Sequence, residues 1–358
     1  MPIIPLYGHD AMRERLHRML RSNSLPASIL FEGARGIGKQ RLALWLAQLL
    51  QCERPVAERP CGECMGCRTV LSLQHPDVYW AFPRPRLKES DNTAEDALED
   101  LRDGDRERAE RGGLYPRPPR SEGIYLTTIL ALVQRAAISP AFGRRKVFIV
   151  GDAERMVVQE GSDQAANAFL KLLEEPPEDT TIILTSSEAG ALLPTIHSRV
   201  VAMRCAPLGD PDVLAFVRDP VAKAHLDTLD LPRGDAERVR LAEGAPGALL
   251  SVEATKTARA DARRILTAAS ARGAERYATA LAQGSASARG AFSDALGELA
   301  ALLRERAATA IASGDTDTAY RASRAINAVC EAQGRADGNV NPQLITAALL
   351  RALDGIPA

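Results

Sequence analysis

Charge of one sign is the first thing missing from this sequence. Its 358 residues carry 45 Lys and Arg against 46 Asp and Glu, a formal net charge of -1. The basic excess by which a protein grips nucleic acid unaided is therefore absent, and any DNA contact is expected to be shared with partners. Apolar runs of membrane-spanning length are also lacking. The start, MPIIPLYGHDAMRER, has no hydrophobic core of signal-peptide length. These absences exclude a membrane role and lead to the expectation of a cytoplasmic protein, a compartment in which thiols stay reduced. The six cysteines are then not expected to form disulfides.

What is present suffices for several cores: 46% of residues are hydrophobic and 25% charged, and the length suits two or three domains. Short apolar runs alternate with helical patterns over the first two hundred residues. Strands are expected at Ser28–Phe31, Val78–Trp80, Lys146–Val150, Thr181–Thr185 and Val200–Met203. Helices are expected from Gln40 to Leu50, from Leu126 to Ile138, and from Ala165 to Leu173, the last ending before Pro176 and Pro177. Alternation of this kind implies an α/β fold, a parallel sheet flanked by helices. The stretch from Arg84 to Gly123 is different, with RPR, AEDALEDLRDGDRERAERGG and PRPPR. It offers few core residues and reads as a solvated insertion, partly helical or disordered. After Pro207 the pattern is all-helical. Phe292, Leu296, Leu299 and Leu303 share one helical face, and Ala319–Gln333 and Pro342–Leu353 are two more helices. The expected layout is an α/β domain over 1–207, a small helical domain over 208–252 and an all-α domain over 253–358.

Gly33-Ala34-Arg35-Gly36-Ile37-Gly38-Lys39-Gln40 fits G-x-x-x-x-G-K between a strand and a helix. There the backbone N–H groups of such a loop hold phosphate oxygens and the lysine neutralises them. Two things a working site needs are missing. The Ser or Thr after the lysine, whose hydroxyl binds Mg²⁺, is Gln40. After the apolar run Val147–Val150 the chain reads Gly151-Asp152, so Gly151 stands where a metal-holding Asp belongs and Asp152 where a water-activating Glu belongs. Shifting the register makes Asp152 the metal ligand and leaves Ala153 at the base position. Phosphoryl transfer relies on positioning and charge stabilisation, so loss of either role should remove most turnover. ATP or ADP binding without hydrolysis and an empty site both fit.

Cys52, Cys61, Cys64 and Cys67 have the spacing C-x8-C-x2-C-x2-C within a module at about 51–68. Four thiolates in a reducing compartment suit a closed tetrahedral Zn²⁺ site of structural purpose, in preference to an iron–sulfur cluster, a redox pair or incidental thiols. A site with four protein ligands has no open position, which argues against a zinc-dependent enzyme. Cys205 and Cys330 stand apart and read as buried small residues.

A phosphate loop followed closely by a four-cysteine module resembles the bacterial clamp-loader subunits, delta-prime and gamma/tau, of the AAA+ class. Further residues carry the likeness over most of the chain: Leu25–Phe31 before the loop, His75-Pro76-Asp77 after the cysteines, AANAFLKLLEEPP from Ala165 to Pro177, and Thr195-Ile196-His197-Ser198-Arg199-Val200, with Val200 in place of the family's Cys. Asn339–Leu344 resembles the start of the family's final helix. The resemblance implies that Arg199, which alone would read as a surface arginine in a local salt bridge, is an arginine finger acting in trans on the ATP of a neighbouring subunit. It implies that Gly247 stands where active ATPases of the family carry a lid arginine. It also implies that Ser186, in Thr185-Ser186-Ser187, is the polar residue at the γ-phosphate-sensing position and that the C-terminal helices form a collar. Glu174 and Glu175, which could be paired carboxylates for acid–base work, read instead as ending the helix and facing a subunit boundary. The expectation is a delta-prime-type, ATPase-deficient subunit within DNA polymerase III. Its partners would be gamma/tau and delta subunits in a hetero-pentamer, the sliding clamp, and primed DNA. The rival readings are an active gamma/tau-type ATPase and a non-replicative AAA+ scaffold or adaptor.

Overall fold

The fold is that of a computed structural model describing residues 2–88, 93–116, 122–143, 145–156, 164–271, 273–282, 289–337 and 340–353. Residues 117–120 of PRPPR, Asn339, and the side chains of Ala165 and Ala166 lie outside this description. The chain divides into two compact units, with the boundary between Ser251 and Val252.

In the first unit the described elements run α1 (Asp10–Arg21), β1 (Ser28–Glu32), α2 (Lys39–Gln51), α3 (Met65–Leu71), β2 (Val78–Ala81), α4 (Ala94–Glu110), α5 (Leu126–Ala136), β3 (Lys146–Val150), α6 (Gln164–Glu174), β4 (Thr180–Ser186), α7 (Pro194–His197), β5 (Val201–Arg204), α8 (Asp210–Arg218), α9 (Pro220–Leu226) and α10 (Asp235–Ala242). The five strands form one sheet in the order β2-β3-β4-β1-β5, and every pairing is parallel. Side chains of a strand point alternately to opposite faces, and here both faces are covered. Ile29, Phe31, Val147, Ile149 and Ile183 pack into the core that holds Leu42, Leu46 and Leu49 of α2. Leu30, Phe148, Val150, Ile182 and Leu184 face the other way, toward Ile129 and Leu132 of α5 and Phe169 and Leu173 of α6. This double burial, which holds for the inner strands β3, β4 and β1, explains why they read as apolar runs.

The segment after Pro207 carries its own small core of Leu208, Val213, Phe216, Val217, Ala222, Leu226, Ala242 and Leu249, joined by Ile4 and Leu114. The second unit contains α11 (Val252–Ser270), α12 (Gly273–Leu281), α13 (Arg289–Ser313), α14 (Thr316–Asp337) and α15 (Pro342–Ala352). Phe292, Leu296, Leu299 and Leu303 of α13 are all buried there, with Ile265, Val329, Ile345 and Leu349.

Two expectations need correction. Cys330 is exposed, not buried; Cys205 is buried. The charged stretch 84–123 is no merely solvated insertion. Its ends are closed by an antiparallel bridge in which Arg84 N donates to Gly123 O and Gly123 N to Arg84 O, both at 3.0 Å. Inside it, α4 opens with a reciprocal cap: Asp96 N donates to Thr93 Oγ1 at 3.2 Å and Thr93 N to Asp96 Oδ2 at 2.9 Å, an arrangement that satisfies two otherwise unpaired helix-end donors. Ala97, Leu98, Leu101, Gly104 and Arg108 form the buried face of this helix. Arg84 holds it from the side, with Nη2 on Asp100 Oδ1 at 2.9 Å and Nη1 on Glu107 Oε2 at 3.1 Å. Charge on the outer face concealed a helix with an apolar inner face.

Candidate functional site

The loop Gly33–Gly38 leaves the end of β1 and feeds α2, whose first residue is Lys39. Lys39 is buried. Its Nζ donates to Gly33 O at 2.9 Å, to Ala34 O at 2.8 Å and to Ser187 Oγ at 3.1 Å. Burial lowers its pKa, against the opposing pull of Asp152 and Glu154. A ring nitrogen of His9, at 2.7 Å, shares a hydrogen bond with Ile37 O on the far side of the loop. Ser186 Oγ accepts from Glu188 N at 3.1 Å, and its side chain also hydrogen-bonds Glu154. The hydroxyl on Lys39 is that of Ser187, one residue past the strand end. Ser187 N in turn donates to Glu154 Oε1 at 3.1 Å. Burial, and then the charge of Asp152, raise the Glu154 carboxyl above its ordinary range.

The metal side of the loop is filled by protein. Gln40 Nε2 donates to Asp152 Oδ2 at 3.1 Å, and Trp80 Nε1 donates to Gln40 Oε1 at 3.0 Å. Tyr115 OH lies 3.4 Å from the same Asp152 oxygen and donates to it. A Cβ on Gly151 would sit 2.4 Å from Gln40 Oε1 and 2.6 Å from its Cδ, so the two departures noted in the sequence depend on each other: the amide of Gln40 occupies the space that any side chain at 151 would need. Beyond it lies Arg108 of α4, its Cζ 4.0 Å from the ring centroid of Trp80 and 3.7 Å from that of Tyr115, and also over Phe82. Burial pushes the Arg108 guanidinium down to about 10, while the negative groups Asp105 and Asp152, with Tyr115, favour its charge. Neither Mg²⁺ nor another hydrated divalent cation fits this arrangement. Such an ion takes hard oxygen ligands at about 2.0–2.1 Å and keeps several waters; here the carboxylate oxygen already accepts from an amide and a phenol, and the amide oxygen accepts from an indole.

Gly247 also has a spatial reason. Gly247 N donates to Gly36 O at 2.8 Å, and a Cβ on Gly247 would lie 2.9 Å from both the Cα and the O of Gly36. The backbone after α10 thus lies directly on the phosphate loop, with no room for a side chain at 247.

Arg199 follows α7 by two residues. Its Nε donates to Glu174 Oε1 at 2.9 Å, and its Nη1 donates to Thr195 O at 2.8 Å and Ser198 Oγ at 3.0 Å; Nη2 also bonds Glu174. Glu174 is the last residue of α6. The LEEPP and HSRV segments, far apart in sequence, therefore meet through one partly exposed ion pair.

The four cysteines converge between α2 and α3. Cys52 caps the C-terminus of α2, and Cys64 is the N-cap of α3, its sulfur accepting from Cys67 N. All four sulfurs lie within 4.8 Å of one another, with Cys52–Cys61 at 3.6 Å and Cys61–Cys67 and Cys64–Cys52 at 3.9 Å. A tetrahedron with Zn–S bonds of about 2.3 Å has edges of about 3.8 Å, so these separations fit zinc, whereas a disulfide requires about 2.05 Å. Backbone N–H groups of Cys64 and Glu63 draw the Cys61 thiol down to about 6, while burial raises Cys67. Zinc bound here would be held by sulfur alone and would fasten α2, the helix that begins at Lys39, to α3. His75-Pro76-Asp77 serves as a staple beside it: the Asp77 carboxylate accepts from Ala141 N at 2.6 Å and Phe142 N at 2.8 Å. Among the described residues no helix is long and apolar enough to cross a membrane.

Residues 8–209 match the family described as DNA polymerase III, delta subunit. The DNA polymerase III subunit delta' of Pseudomonas aeruginosa is 36% identical over 177 residues, covering 49% of this chain and 42% of that protein. The subunit tau/gamma of Haemophilus influenzae is 27% identical over 243 residues, 68% of this chain and 28% of that protein. The chain thus spans less than half the length of either relative. A solved gamma subunit-related protein of Thermotoga maritima covers 96% of this chain and 98% of its own, at 17% identity and a TM-score of 0.37. The loop, the cysteines, Asp152 and Arg199 all fall within residues 8–209, and the chain belongs to the family described as DNA polymerase III, delta subunit.

Proposed function

We propose that this chain works as a delta-prime-type subunit of the clamp loader, hydrolyses no ATP itself, and lends Arg199 to the ATP of an adjacent gamma/tau subunit. The observation that carries this reading is the Gln40 amide, held between Trp80 and Asp152 in the space beside Gly151. With the metal-side groups gone and their place filled, the loop retains at most the ability to hold phosphate through Lys39 and the backbone of Gly33, Gly36 and Gly38. The reading includes a hetero-pentamer with gamma/tau and delta subunits, the sliding clamp and primed DNA as its working partners, and a cytoplasmic location. It also includes a division into a P-loop domain, a helical lid over 208–252 and a helical collar. The Zn²⁺ held by Cys52, Cys61, Cys64 and Cys67 braces the first of these.

A guanidinium acting in trans stabilises charge on the transferring phosphoryl group and is worth roughly 10³–10⁵ in rate in related systems. In the free chain Arg199 is tied to Glu174, so docking would exchange one anion for another. The test is a clamp loader reconstituted with Arg199→Ala. DNA- and clamp-stimulated hydrolysis is expected to fall by at least tenfold while the complex still assembles, as judged by size-exclusion chromatography. Unchanged hydrolysis in an intact complex removes the finger. The likeness to tau/gamma subunits favours a second reading, an active ATPase, and steady ATP turnover by the isolated chain would establish it.

A further inference from the structure

The charged stretch 84–123 has no part in the function proposed above, yet it delivers Arg108 to the cleft. We propose that the guanidinium of Arg108 is a built-in cation that stands in for the divalent metal on the acidic side of the phosphate loop, making the cleft one that takes no Mg²⁺.

Four observations carry this. First, Arg108 is buried, and its Nη atoms make no well-formed hydrogen bond among the described residues, with only a loose one to the Tyr115 hydroxyl. A buried charge without such partners is costly and needs compensation from its surroundings. Second, that compensation comes from an aromatic box of Trp80, Phe82 and Tyr115, whose ring faces attract a desolvated cation, together with the charges of Asp105 and Asp152. Third, two members of the box are the same side chains that close the metal side: Trp80 donates to Gln40 Oε1 and Tyr115 to Asp152 Oδ2. The box, the amide and the acid form one connected cluster, with the positive group at one end and Asp152 at the other. Fourth, the helix that carries Arg108 is anchored rather than loosely appended, by the bridge at Arg84 and Gly123 and by the ties from Arg84 to Asp100 and Glu107. A hydrated Mg²⁺ entering here would have to displace Gln40 and share the cluster with a fixed guanidinium.

The inference rests on the reading of this cleft as one without turnover. Its test is read from Mg²⁺ binding and not from hydrolysis, so the two can fail separately. Thermal unfolding of the full-length, zinc-loaded chain is followed with Mg²⁺ and with NaCl at the same ionic strength. The wild-type Tm is expected to be the same in both. Arg108→Met is expected to gain a Mg²⁺ response, a rise of about 3–6 °C once the ion is tenfold above its Kd. Adding Asp152→Asn to that variant is expected to remove the gain. A Mg²⁺ response of the wild-type chain that is lost in Asp152→Asn overturns the proposal, and so does a folded Arg108→Met indifferent to Mg²⁺. Should Arg108→Met bind no zinc and show no cooperative transition, Arg108→Lys is read in its place. With an ammonium in the box it is expected to fold and ignore Mg²⁺, and a response there overturns the proposal as well. If neither variant folds, the wild-type comparison decides.

Discussion

At the scale of single residues, the cleft shows two departures from a working site that are really one. Gln40 and Gly151 are 111 positions apart, and from sequence they look like separate losses. In space the amide of Gln40 lies where a Cβ at 151 would be. Gly151→Ala is therefore expected to destabilise the chain by about 1–3 kcal/mol through overpacking, read as a fall in the urea midpoint. Gln40→Ala in the same chain should relieve the clash, so that Gly151→Ala costs clearly less in the double variant. Equal costs in the two backgrounds would mean that the residues do not compete for space. The same scale explains what sequence reasoning missed. Ser187, Trp80, Tyr115 and Arg108 are unremarkable by type and far apart in the chain; only the fold assembles them around Lys39 and Asp152.

At the scale of elements, legibility followed the mixing of charge and apolar character. Strand β3 has the bounds read from its apolar run, and the other four strands lie within one residue of expectation at each end; the inner strands β3, β4 and β1, buried on both faces, advertise themselves as hydrophobic stretches. Helix α6 stops at Glu174, ahead of the two prolines, as proline geometry requires. The insertion read as partly helical, which α4 bears out, but its buried face was concealed because charged residues outnumber apolar ones in it. Its signals were nonetheless present: Thr93 three residues before Asp96, apolar Ala97, Leu98 and Leu101 at helical spacing, and Arg108 two turns further along the same face. The four-cysteine cluster was legible because ligand chemistry is encoded in spacing, and here Cys52 and Cys64 stand at facing helix ends. Cys64→Ser removes one sulfur while leaving a hydroxyl that can still cap α3. The wild-type chain is expected to hold one zinc per molecule by metal analysis, and the variant well under half that, with a Tm lower by several degrees. Full zinc retention by Cys64→Ser would mean that the four sulfurs are not the ligand set.

At the scale of the whole molecule, the buried charge in α4 should leave a mark on stability against pH. Asp105 is raised by burial from 3.8 to about 7, despite the opposing charges of Arg108 and Arg84. Between these two values the folded chain holds a proton that the unfolded chain has released. The favourable contribution of this group is thus complete below about pH 4 and is lost as pH rises through 7. A shift of this size corresponds to about 4 kcal/mol at most. Asp105→Asn, which keeps the shape and cannot ionise, is expected to be more stable than the wild-type chain at pH 8. The gap should shrink to less than half by pH 5, measured by urea denaturation at both values. A gap that is constant with pH would mean that Asp105 titrates normally.

The contact between Gly36 and Gly247 has its own consequence at this scale. Backbone meets backbone there, through a hydrogen bond of 2.8 Å, so no side-chain rotation can loosen the joint. In a nucleotide-driven switch, the presence or absence of a terminal phosphate is transmitted by letting two bodies rock about the cleft. Here the cradle and the segment after α10 meet main chain to main chain. Opening the cleft from this side would therefore cost a main-chain hydrogen bond, about 0.5–1.5 kcal/mol, before anything else moved.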